Sequence, residues 1–172
     1  LLTGFGAFGA VTDNPTAHLA RALDGRTLGP WRVHGEVLPV SFARGPSSAV
    51  ARARALGADA VVGLGVATAR TAVDVECLGV NGVGETPDVD GACPSDLGPG
   101  PARLEATFDT AALAEALGAG LSRDAGRYVC NAWLYTALRE LPHTPVCFVH
   151  VPPGWVHAEA LARALAVALP AP

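Results

Sequence analysis

An α/β domain built on a mostly parallel sheet is the fold class this sequence predicts, and three observations carry the prediction. Short apolar runs alternate with helical patterns at the spacing of βαβ units, which cross over right-handed and cover both faces of a sheet with helices. One run, "ADAVVGLGV", is apolar almost without a break, as strands buried on both faces are. With 172 residues, half of them apolar and 16% charged, the chain can bury a sizeable core. The expected architecture is a single-domain three-layer sandwich over residues 1–172, a twisted sheet between two layers of helices.

Each element has its own local reason. Leu1-Leu2-Thr3 reads as the tail of a strand already under way, so a few starting residues are expected to precede it. A glycine-rich loop follows; Asn14 as N-cap and Pro15 at the first helical position then open a helix to about Leu23. "WRVHGEVLPV" alternates as a strand, Ser47 to Leu56 forms a helix, and "ADAVVGLGV" is the next strand. In "TAVDVECLGVN" the alternation places Val73, Val75 and Cys77 on one face and Asp74, Glu76 and Leu78 on the other. Gly82 to Pro101 has no period, and a loop of that length in a compact domain is functional or mobile. Helices over 109–120 and 131–141, the strand "VCFVHV" and a closing amphipathic helix over 156–168 complete the chain.

Composition excludes several classes. A net charge of −4 with 12 scattered basic residues offers no footprint for nucleic acid. No window approaches the roughly eighteen uninterrupted apolar residues of a spanning helix, and the first residues lack the order of a secretory signal, so a soluble cytoplasmic protein with no membrane partner is expected. Cysteines at 77, 93, 130 and 147 form no CxxC pair, and reduced thiols are expected.

Ligands on parallel sheets bind beyond the carboxyl ends of the strands. That rule selects Gly4 to Ala10, Gly65 to Arg70, Cys130 and His150. Cys130 alone has a packing explanation, since cysteine is a small and frequently buried residue. His150 alone has one too, as a core-edge ring donating to a carbonyl. Together they suit acyl transfer. A thiol in the first turn of a helix meets free N–H groups and the positive end of the helix dipole, which favour a thiolate and can hold an oxyanion. A histidine at a strand end can shuttle the proton, and a carboxylate such as Glu76 can orient it.

The same residues carry a resemblance. "SRDAGRYVCNAWLYTAL" resembles the cysteine segment of the pyroglutamyl peptidase I family, and "TGFGAFG" with "NPT", "VLPVSF", "ARTAVDVECLGVN", "LGPGPARLEATFDTAAL" and "FVHVPP" resemble its other motifs in order along nearly the whole chain. The resemblance implies a cysteine exopeptidase that needs no metal or cofactor and removes an N-terminal pyroglutamyl residue from a small peptide substrate. It places the nucleophile at Cys130, the general acid/base at His150 and the orienting carboxylate at Glu76. It implies substrate contacts at Phe5 and Phe8, with Asn14 a weaker case because capping alone explains it, and at Val66. It also implies self-association, with no number fixed by the residues.

The chain departs from the family pattern at the substrate end. Gly65-Val66-Ala67-Thr68-Ala69-Arg70 stands where Gly-Gln-Ala-Gly-Gly-Arg is usual, and the stretch after Asn81 lacks an arginine, leaving Arg70 and Arg127 as the nearest basic candidates. Val66 is harmless if the main chain reads the lactam, whereas Thr68 and Ala69 would be strained at any backbone position needing positive φ. The competing reading is a family member that binds a blocked N-terminus without turnover. A dinucleotide loop at "GLGVAT" lacks its third glycine and following helix, and a metal site at His150 and His157 lacks ligand spacing.

Overall fold

In the computed structural model, which describes residues 1–169, Leu2–Phe5 forms strand β1 and is buried along its whole length. Helix α1, Pro15–Leu23, starts where the Asn14 side chain accepts from the Thr16 amide. It packs so closely that a Cβ at Gly4 or Gly35 would stand 2.0 Å from a carbonyl oxygen of the helix. The expected strand over 31–40 divides: β3 (Trp31–Arg32) pairs as a short hairpin with β2 (Thr27–Leu28), which lies before it, and β4 (Gly35–Leu38) joins the main sheet. Helix α2, Arg44–Leu56, begins three residues before the expected Ser47, with the Ser41 hydroxyl accepting from the Arg44 amide.

Strand β5, Val61–Val66, is buried at every position between parallel neighbours, as its unbroken apolar run requires. The alternating segment 71–81 is not one strand. It breaks at Cys77 into β6 (Asp74–Glu76) and β7 (Leu78–Val80), which belong to different sheets, β7 pairing with β8 (Arg103–Glu105). The expected helix over 109–120 is α3, Thr110–Leu117, ended by left-handed Gly118, and β9 (Gly120–Ser122) follows it. Helix α4 (Val129–Glu140), strand β10 (Val146–Val151) and helix α5 (Ala158–Ala168) complete the order.

The main sheet runs β4-β1-β5-β10-β6-β9. The first four strands are mutually parallel, and β6 meets β10 antiparallel. Alternation along β10 divides the core. Cys147, Val149 and Val151 face a cluster with Leu19, Leu113 and Leu161 of α1, α3 and α5, while Val146 and Phe148 face Val50 and Trp133 of α2 and α4. This is the expected three-layer arrangement. No helix among the described residues is long and apolar enough to cross a membrane.

Candidate active site

Four chain segments meet where β5 and β10 end. His150 is the last residue of β10 to face the α2/α4 side, and its register partner on β5 is Gly65. With no side chain there, the space beside the ring is open to α4: a Cβ at residue 65 would stand 2.7 Å from the Cys130 sulfur. Cys130 is the second residue of α4. The helix enters through Tyr128 in extended conformation with no side-chain cap, and its first intrahelical bond runs from the Ala132 amide to the Tyr128 carbonyl at 3.1 Å. The amides of residues 129–131 therefore precede the helical ladder and point out of its N-terminus beside the thiol.

On the far side of the ring, His150 Nδ1 lies 2.7 Å from Glu76 Oε1. Glu76 is fully buried and comes from β6, the antiparallel neighbour of β10. With Nδ1 donating to the carboxylate, Nε2 is the nitrogen left for the sulfur. Burial opposes the charged ring, yet the Cys130 sulfur close by and the Glu76 carboxylate bonded to Nδ1 push the histidine pKa from 6.5 up to about 9. Burial opposes ionisation of Glu76 as well, and the bond from His150 with the charges of His150 and Arg70 still hold its carboxyl below the ordinary value, although Oε2 is buried without a partner. The three expected residues come together.

Phe5, Phe8, Asn14, Val66, Cys130 and His150 all line one cavity of about 390 Å³. Phe5 is the end of β1 rather than a loop residue and is buried against the Phe148 ring at 6.4 Å between centroids. Phe8 stands over Tyr128 at 6.2 Å. Asn14 does two local jobs, capping α1 and donating to the Gly6 carbonyl at 2.9 Å. Val66 is registered with Val151, whose side chain faces the α1/α3/α5 cluster, so what Val66 offers the cavity is chiefly main chain. The altered turn is unstrained: Arg70 N–H donates to the Ala67 carbonyl at 3.0 Å, and no residue other than glycine has positive φ among the described residues. Of the two basic candidates, Arg127 packs against Gly82 outside this cavity, whereas Arg70 lines it.

A family model for pyroglutamyl peptidase matches residues 1–168. The chain belongs to the pyroglutamyl peptidase family. Pyrrolidone-carboxylate peptidase of Chromobacterium violaceum is 35% identical over 162 residues, 88% of this chain and 76% of that protein. The Pyrococcus furiosus protein of the same name is 31% identical over 147 residues, 80% and 71% of the two chains. The pyrrolidone carboxyl peptidase structure from Thermococcus litoralis superposes with a TM-score of 0.90 at 27% identity, covering 98% of this chain and 91% of that one. The pyroglutamyl peptidase fold therefore extends over the site just described.

Three further residues shape it: Gly65 and Arg70 lie in the segment the sequence selected, without their roles being legible there, and Asn131 was passed over. Gly65 leaves room for the sulfur, and only the strand register reveals that. Asn131, almost fully buried, clamps the start of α4 to β7 through bonds with both backbone groups of Val80 and with the Gly82 carbonyl, at 2.9–3.0 Å; its signal was a polar side chain next to the cysteine in an apolar helix. Arg70 reaches Glu76 Oε1 at 2.8 Å.

Proposed function

We propose that this chain is a cysteine exopeptidase that hydrolyses the amide bond after an N-terminal pyroglutamyl residue, with Cys130 as nucleophile, His150 as general acid/base and Glu76 as the orienting carboxylate. The observation that carries the reading is the ring of His150 held between Glu76 at 2.7 Å and the Cys130 thiol at the mouth of an apolar cavity.

The steps follow from the geometry. The thiolate adds to the acyl carbon, and the carbonyl electron pair moves onto oxygen, where the amides at the start of α4 can receive it. Collapse breaks the C–N bond as His150 Nε2 gives its proton to the leaving amine, which leaves a thioester. Water, losing a proton to the neutral imidazole, then attacks the thioester and frees pyroglutamate and the thiol. Glu76 holds the ring by Nδ1 and stabilises its charged form throughout.

The lactam is a flat neutral ring, which suits a pocket walled by Phe5, Phe8 and Tyr128 with main-chain groups of Val66 at its edge. Asn14 supports the Phe5–Phe8 wall through the Gly6 carbonyl. The finer setting proposed is the reducing cytoplasm, where a thiol nucleophile stays available.

A fluorogenic pyroglutamyl amide tests the reading. Release is expected to stop on alkylation, and Cys130→Ser is expected to lower kcat by about a thousandfold or more. Undiminished release by that variant would overturn it.

A further inference from the structure

His150 faces two carboxylates. Along the antiparallel β10–β6 ladder its direct partner is Asp74, with Glu76 diagonal on the same face. Yet the ring bonds to the diagonal residue. The reason lies on the 67–70 turn, where Arg70 places one guanidinium nitrogen 2.9 Å from Asp74 Oδ2 and the other 2.8 Å from Glu76 Oε1. That second nitrogen donates to the Asp124 carbonyl at 2.8 Å and meets the Ser122 hydroxyl at 3.4 Å, so its approach to Glu76 is a charge contact. The arginine is thus held by β6, by the end of β9 and by the loop after it, and cannot swing freely toward solvent.

We propose that Arg70 is a positioning residue of this site: it engages Asp74, fixes Glu76 by the oxygen that receives His150, and so selects which carboxylate serves the imidazole and sets the charge balance around it. The inference rests on the catalytic reading of Cys130, His150 and Glu76.

Two like charges at neighbouring same-face positions repel, and without a cation between them their protons and that of the ring are all held more tightly. The other groups facing the ring do not supply that cation. Cys130 on α4 and Tyr128 beside it carry no positive charge in either protonation state, and Asp124 offers its carbonyl. Glu76 is fully buried and the Arg70 side chain is 24% exposed, so solvent screens the pair only in part.

The test is the pH dependence of two readouts, kcat/KM on a pyroglutamyl fluorogenic amide and the rate of Cys130 alkylation by iodoacetamide, which needs no turnover. Arg70→Gln keeps a hydrogen-bonding group and removes the charge. It is expected to move the alkaline limb of both profiles upward by about half a pH unit or more and to lower kcat about tenfold with KM little changed. Arg70→Gln with Asp74→Asn restores the charge count, and the limb is expected to return toward its original position. Arg70→Lys keeps the charge but cannot fork between two carboxylates, so the limb is expected to stay while kcat falls. Superimposable profiles for Arg70→Gln and the parent protein would overturn the proposal. Should Arg70→Gln not fold, parental kcat in Arg70→Lys would do so. If the parent releases no product, the catalytic reading fails, and the alkylation profiles still decide the role of Arg70.

Discussion

His150 keeps its proton where burial alone would remove it, because the sulfur and the Glu76 carboxylate stand on its two sides. Its folded pKa of about 9 lies above the ordinary 6.5. The stability it contributes is therefore fully present below about pH 6.5 and is lost as pH rises through 9. In an NMR titration of the ring the midpoint is expected near 9, and Cys130→Ser is expected to lower it, since the sulfur is the leading influence that raises it; an unchanged midpoint in the variant would contradict the contact. Gly65 is as closely constrained. A methyl there would meet the Cys130 sulfur and the Phe148 ring, each at 2.7 Å. Gly65→Ala is expected to cost about 1–3 kcal/mol in urea unfolding and to lower kcat by displacing the sulfur, whereas parental kinetics would show that the thiol does not lie over this strand.

The entry of α1 decides whether Asn14 serves the fold or the ligand. Loss of its cap in Asn14→Ala is expected to cost about 1 kcal/mol. Asn14→Asp keeps the cap but loses the donor to the Gly6 carbonyl, so a raised KM with near-parental stability is the expected sign that Asn14 shapes the Phe5–Phe8 wall. An unchanged KM would leave it a cap alone. This helix was legible in the sequence because Asn-Pro acts locally. Glu76 was placed on its correct face for a similar reason: strand alternation needs no knowledge of partners. Periodicity reports a face and never a neighbour, which is why 71–81 read as one strand although β6 pairs with β10 and β9 while β7 pairs with β8. Gly120-Leu121-Ser122 is too short to carry a period, and the expected helix over 109–120 ran into its first residue while the other two went unassigned. Arg70 could be ranked as a candidate charge, but its two carboxylate partners exist only once β6 lies beside β10.

Across the whole molecule the sheet sorts the thiols by depth. Cys147 is fully buried, and burial raises its pKa far above the ordinary thiol value. Cys77 is half-buried near the Thr110 hydroxyl, Cys130 opens to the cavity, and Cys93 is exposed. Cys130 and Cys93 are expected to react with iodoacetamide well before Cys77, and Cys147 only on unfolding, as peptide mapping over time would show. Equal labelling in the folded state would contradict this placement. The same sheet brings β6, β10 and the start of α4 to one rim, and that convergence is what makes a thioester at residue 130 possible. Mass spectrometry of the protein acid-quenched during turnover of a pyroglutamyl amide tests it most directly. The expected result is one pyroglutamyl group on the peptide that carries Cys130, removed by hydroxylamine; the group on another residue, or steady turnover with no adduct in Cys130→Ala, would contradict it.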